Sequence, residues 1–160
     1  MKKDHLIYIV EDDPPVNSML CMFLEKQGFT QVSGFHTAEE MLAVLPLKKP
    51  VIIIQDFDLP GMNGLDVIRN VKLNYPNTEF IFLSGQRSIE IAVEAIKNGA
   101  FDYIVKDSFA KENVVTKINT LLKIRSLETD RSFFRLMLIV FSVLMICSWV
   151  LLVIHYILNH

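Results

Sequence analysis

Six side chains in this 160-residue sequence are placed to do chemistry together: Glu11, Asp12 and Asp13 in one run, then Asp56, Ser84 and Lys106. Each group follows a short apolar run, His5–Val10, Val51–Ile54, Phe80–Leu83 and Asp102–Val105 in turn. If those runs are neighbouring strands, three or four carboxylates meet at their ends. They repel one another strongly unless a divalent cation or a lysine neutralises them. Oxygen donors without thiols or imidazoles favour a hard cation that keeps some of its waters, so magnesium fits best. The four histidines, His5, His36, His155 and His160, offer no metal-ligand spacing, which argues against zinc. Cys21 falls in a soluble helix pattern and Cys147 in an apolar tail, which excludes a disulfide framework.

The elements that must position these residues are legible from periodicity. Short apolar runs alternate with helical stripes as they do in repeated β-α units around a parallel sheet. Val16, Met19, Leu20, Phe23 and Leu24 recur at helical spacing and stop at Gly28, a left-handed cap. A second strand is expected at about Gln31–Phe35, and Thr37 with Glu40 forms a capping box for a short helix bearing Met41, Leu42 and Leu45. Val51–Ile54 is β-branched throughout, as in a central strand buried on both faces. Leu65, Ile68 and Val71 mark a third helix that must end before Pro76. Ile89–Asn98 is the fourth, closed by Gly99, and the last begins near Ala110. Five strands and five helices in strict alternation give an α/β fold, a doubly wound five-stranded parallel sheet with helices on both faces. In such a sheet the loops after the strand C-termini converge on one edge, where ligands bind.

Over residues 4–125 the sequence resembles the receiver domain of two-component response regulators. The most specific stretch is Asp56-Phe57-Asp58-Leu59-Pro60-Gly61-Met62-Asn63-Gly64. The resemblance implies a flavodoxin-like strand order of 2-1-3-4-5. It also implies that Asp56 accepts a phosphoryl group from a sensor histidine kinase or a phosphotransfer protein. Glu11 and Asp12 match the acidic pair that holds magnesium, together with Asp56 and the backbone carbonyl of Asp58, while Asp13 matches a neighbouring position. Ser84 matches the hydroxyl that bonds the phosphoryl oxygen, Lys106 the lysine that pairs with phosphate, and Tyr103 the aromatic switch that turns inward behind Ser84. Asp58 and Gln86 stand two places after the phosphoacceptor and the hydroxyl residue, where side chains line the approach of the hydrolytic water and tune dephosphorylation. Lys106 is followed by Asp107, where the family usually has proline after a cis peptide. A cis bond before a non-proline residue costs about 2.5–4 kcal/mol, so a trans bond is expected here.

Charge divides the chain. The 16 basic and 18 acidic side chains all lie in the first 135 residues, and all six glycines and six prolines within the first 99. Leu136–Leu158 is a run of 23 residues without formal charge, long enough at ~1.5 Å per residue to span the ~30 Å hydrocarbon layer. The expected organisation is a receiver at 1–125, a short linker at 126–132 with Thr129, Asp130 and Ser132 as a break, a transmembrane helix at 133–158 and an extracytoplasmic tail at 159–160. Lys117, Lys123, Arg125, Arg131 and Arg135 precede the apolar segment and no Lys or Arg follows it. The positive-inside rule therefore places the receiver in the cytoplasm, at a membrane whose lipid the C-terminal helix contacts. A net charge of −2 with no concentrated basic patch argues against nucleic acid as a partner.

These features describe a membrane-anchored, single-domain response regulator. It would not be an enzyme, but a phosphoacceptor with magnesium-dependent self-phosphorylation and autodephosphorylation, signalling through contact with a downstream protein. The alternatives are a pseudo-receiver that binds partners without phosphorylation, supported by Asp107, and a phosphate sink that drains a kinase.

Overall fold

The structure, a computed structural model, describes residues 3–158; the tail expected at 159–160 lies outside the described residues. Five strands and five helices alternate in the order β1 (Lys3–Val10), α1 (Pro14–Lys26), β2 (Phe29–Phe35), α2 (Ala38–Val44), β3 (Ile52–Asp56), α3 (Gly64–Asn74), β4 (Glu79–Ser84), α4 (Ile89–Lys97), β5 (Asp102–Val105) and α5 (Ala110–Leu158). The sheet is parallel throughout, in the order β2-β1-β3-β4-β5, as expected for the receiver fold. The chain forms two compact units, residues 1–119 and 120–160.

In the first unit, β1, β3 and β4 carry side chains that are buried on both faces of the sheet. Ile7, Ile9, Ile52, Ile53, Phe80, Ile81 and Phe82 are all fully buried. Each such side chain contributes about 1.5–3 kcal/mol of apolar burial, which fixes the central strands. The register then sets the strand ends level. Val10 pairs with Gln55, Asp56 with Leu83, and Ser84 with Val105. The ladder continues one step beyond the strands, where Phe57 N donates to Leu83 O at 2.7 Å and Lys106 N to Ser84 O at 2.7 Å.

Helix starts follow the side-chain chemistry. Asp13, Thr37, Asn63 and Ser88 each accept a bond from a first-turn backbone N–H and cap α1, α2, α3 and α4. In the α2 capping box, Glu40 reaches back to His36 N at 3.0 Å, one residue before the cap itself. Gly28 and Gly99 follow α1 and α4 at φ +90° and +96°, a left-handed conformation that spares a side chain's steric cost. Both β1 and β2 begin two residues earlier than expected, because the Asp4 carboxylate takes the side chains of Thr30 and Gln31 on the neighbouring strand. The buried face of α1 is Asn17, Leu20 and Leu24, while Met19 and Met22 are exposed, so the core stripe is narrower than periodicity implied and contains a polar residue.

The second unit is helical. The break expected at Thr129, Asp130 and Ser132 is not formed: α5 runs from Ala110 to Leu158 without interruption, so residues 126–132 are helix and not a non-helical linker. With no Gly or Pro after Gly99, nothing in the backbone forces a stop, and continuing the i→i+4 ladder leaves fewer orphan groups than ending it. The large apolar side chains described from Phe134 to Trp149 are all at least half-exposed. Among the described residues no helix is long and apolar enough to cross a membrane.

Candidate functional site

The level strand ends bring the acidic residues together. Glu11 follows β1, Asp56 ends β3, and carboxylate oxygens of Glu11, Asp12 and Asp56 all lie within 4.8 Å of one another. Glu11 and Asp56 are buried, Asp12 is exposed, and the set opens to solvent through Asp12. From the end of β5, Lys106 reaches across. Its Nζ lies 2.6 Å from Asp56 Oδ2 and 2.7 Å from Glu11 Oε2. One ammonium thus bridges two carboxylates that are nearly out of water.

Burial pushes the Glu11 carboxyl above its usual range, and the neighbouring charge of Asp56 adds to this while Lys106 opposes it. For Lys106, burial works against the charged amine. Its hydrogen bonds to Asp56 and Glu11, with their charges, outweigh that cost and hold it above the ordinary lysine value.

Lys106 is presented through a trans peptide to Asp107, as expected. Where the family has proline, Asp107 builds a turn by hydrogen bonding. Its N–H donates to Val105 O at 2.9 Å, its Oδ1 accepts from Phe109 N at 2.9 Å and its carbonyl from Ala110 N at 3.2 Å. The turn leads directly into α5.

A second network occupies the other side of Asp56. Asp58 N donates to Asp56 Oδ1 at 3.1 Å. The Asp58 carboxylate accepts from Ser84 Oγ at 3.4 Å and from Gln86 Nε2 at 3.1 Å. Gln86 N donates to Ser84 Oγ at 3.1 Å, and Tyr103 Oη donates to Gln86 O at 3.0 Å. Tyr103 is half-buried, its ring edge-on to Phe57 with centroids 6.1 Å apart.

Three residues that shape the site were missed in the sequence. Asn17 donates to Glu11 O at 3.1 Å and to Phe35 O at 2.7 Å, fixing the turn that presents Glu11. Its only signal was a polar residue on the buried stripe of α1. His36 places Nδ1 3.3 Å from the same Glu11 carbonyl. Gln55, adjacent to Asp56, is fully buried, and among the described residues neither of its amide atoms has a partner. Asp13 does not join the acidic set; its carboxylate accepts from Val16 N at 3.2 Å and caps α1.

Glu11, Asp12 and Asp56 form an oxygen-only set of carboxylates, two of them buried, with hard-cation chemistry; magnesium fits it. What the arrangement can do follows from its parts. A buried carboxylate lies beside a fixed cation, and the residue after its strand partner Leu83 is a serine with its hydroxyl. Those are the groups needed to stabilise charge spreading over a transferred phosphoryl group.

Comparison with known proteins identifies the family. The model of the family described as response regulator receiver domain matches residues 7–119. The C4-dicarboxylate transport transcriptional regulatory protein DctD of Rhizobium meliloti is 37% identical over 109 residues, covering 68% of this chain and 23% of that protein. The transcriptional regulatory protein FixJ of the same organism is 35% identical over 106 residues, 64% of this chain and 50% of that protein. The chain thus spans between about a quarter and a half of the length of these relatives. Among solved structures, a CheY-like receiver domain protein of Methanospirillum hungatei superposes with a TM-score of 0.72 at 27% identity, covering 79% of this chain and 99% of that one. The beryllofluoride-activated DrrB receiver domain superposes with a TM-score of 0.67 at 25% identity, covering 76% of this chain and 99% of that one.

Proposed function

The chain belongs to the response regulator receiver domain family, and on that premise we propose that it is a phosphoryl-accepting switch held at the cytoplasmic face of a membrane. In the transfer step an oxygen of the Asp56 carboxylate forms a bond to phosphorus as the P–N bond of a donor phosphohistidine breaks. The electron pair leaves on the imidazole nitrogen, and the product is an acyl phosphate on Asp56. Lys106 neutralises charge on the phosphoryl oxygens, and Ser84 donates a hydrogen bond to one of them. Glu11, Asp12, Asp56 and the Asp58 carbonyl would hold magnesium, which when bound supplies further positive charge at those oxygens. The protein is itself the substrate in this chemistry and does not act as an enzyme on another molecule.

The observation that carries the proposal is the Lys106 ammonium at 2.6 Å from a buried Asp56 carboxylate, reached through a trans Lys106–Asp107 peptide. That contact counts against the pseudo-receiver alternative, whose support was Asp107. The test is incubation of the full chain with acetyl phosphate and magnesium, read by intact mass. One phosphoryl group should be added to the wild type and none to Asp56→Asn; equal labelling of both would overturn the assignment.

Support for the membrane comes from the uncharged run Leu136–Leu158 and from the exposed apolar side chains described around α5 from Phe134 to Trp149. Leaving such side chains in water forgoes about 1.5–3 kcal/mol each, which lipid would recover. Arg131 and Arg135 on the preceding turns orient the receiver toward the cytoplasm. The downstream partner is a protein rather than a nucleic acid. Exposed Ile89, Val93 and Ile96 on α4, in the unit that carries Tyr103, offer an apolar surface for it. Truncation after Ser132 should leave acetyl phosphate labelling intact but move the protein from the membrane to the soluble fraction.

A further inference from the structure

We infer that the Asp58 side chain is a latch that holds the unphosphorylated pocket in its inactive arrangement, beyond any effect on the path of water. The inference rests on the proposed phosphoacceptor role of Asp56. A serine hydroxyl has one proton, and here it is directed at Asp58 Oδ2, with Ser84 Oγ 3.4 Å away. The other carboxylate oxygen takes the Gln86 amide at 3.1 Å. Gln86 in turn donates its backbone N–H to Ser84 Oγ and offers its carbonyl to the Tyr103 hydroxyl. Asp58 therefore ties the loop after β3 to the loop after β4, and through Gln86 to β5. While that chain is closed, Ser84 has no proton for a phosphoryl oxygen.

Phosphorylation opposes the latch by charge. Asp58 N is bonded to Asp56 Oδ1, so an acyl phosphate on Asp56 places a dianion beside residue 58, whose own side chain is a carboxylate. The like charges repel, and Asp58 must release Ser84 and Gln86. Ser84 is then free to donate to the phosphoryl group, and the Gln86 carbonyl that anchors Tyr103 loses its fixed position. By reciprocity, whatever stabilises the latch weakens capture of the phosphoryl group by an equal factor. This holds for this chain because an acid stands two residues after Asp56 and an amide two residues after Ser84.

The experiment is a beryllofluoride titration of the full chain in detergent with saturating magnesium, comparing wild type, Asp58→Ala and Gln86→Ala, with Asp56→Asn as the control for the phosphoacceptor. NMR of the tyrosine rings follows Tyr103. Losing a charge-assisted contact should tighten beryllofluoride binding about tenfold in Asp58→Ala, and less in Gln86→Ala, which removes only one arm. Without beryllofluoride, the Tyr103 signals of Asp58→Ala should already lie part-way toward their wild-type bound positions. Unchanged or weaker binding by Asp58→Ala, with unmoved Tyr103 signals, overturns the latch while leaving the phosphoacceptor intact. If magnesium alone binds tighter by the same factor, Asp58 acts through the metal and the latch is likewise overturned. If wild type and Asp56→Asn are equally unresponsive to beryllofluoride, the phosphoacceptor reading falls, and the latch with it.

Discussion

Replacing Lys106 by methionine removes the cation that bridges Glu11 and Asp56 while keeping an apolar stem of similar length. In the absence of metal, the two carboxylate side chains, 3% and 8% exposed, would then face each other without a counter-charge. Removing one partner of a buried ion pair costs about 3–5 kcal/mol, because the other charge is left uncompensated. The Lys106 side chain is 29% exposed, so solvent already screens part of the attraction and the loss falls at or just below the lower end of that range. A loss of about 2–3 kcal/mol is expected. For a domain of this size that is a fall in Tm of roughly 10 °C. Glu11, whose carboxyl burial already raises and which loses the opposing effect of Lys106, limits the loss by taking up a proton, which makes the penalty larger at neutral than at mildly acidic pH. Magnesium should recover much of the stability by replacing the missing charge in the same carboxylate set. The assay is thermal unfolding of the full chain in detergent, with chelator or with millimolar magnesium. A Lys106→Met protein as stable as wild type in chelator would refute the electrostatic account. So would a deficit that magnesium leaves unchanged.

Three further predictions follow from particular contacts. A Cβ at Gly34 would stand 2.0 Å from Asn17 Oδ1, so Gly34→Ala must expel the side chain that holds the Glu11 and Phe35 carbonyls; a loss of about 2–3 kcal/mol is expected by denaturant unfolding, together with weaker magnesium binding. Gln55→Leu exchanges a buried, unpartnered amide for an apolar group of similar size and should stabilise the protein by about 1–2 kcal/mol, a gain that a lowered unfolding midpoint would disprove. The pH dependence in chelator should have two limbs. Glu11 binds its proton more tightly folded than unfolded, so stability declines as the pH rises through its raised value; Lys106 is also raised, so its contribution, present below the ordinary lysine range, is lost as alkaline pH passes its raised value. Only the alkaline limb should vanish in Lys106→Met.

What the sequence determined by itself is whatever depends on neighbours in the chain. The β-branched run of β3, the helical stripes and the cap residues are local patterns, and they fixed five strands and five helices with the reactive residues at strand ends. The long match around Asp56 supplied the strand order, which periodicity does not contain. Tertiary structure decided everything that depends on a partner far away in sequence. Lys106 and Glu11 are 95 residues apart and meet only because β1, β3, β4 and β5 end level. Asp13 looked like a fourth member of the acidic set, yet its nearest donor is the backbone of its own helix, and the cap won. Asn17 reads as a break in an apolar stripe until the Glu11 and Phe35 carbonyls arrive to receive it. The Asp58 carboxylate faces a serine and a glutamine that lie 26 and 28 residues further on. Side-chain hydrogen bonds are short-ranged and directional, so such pairings exist only once the register has brought donor and acceptor within about 3 Å of each other.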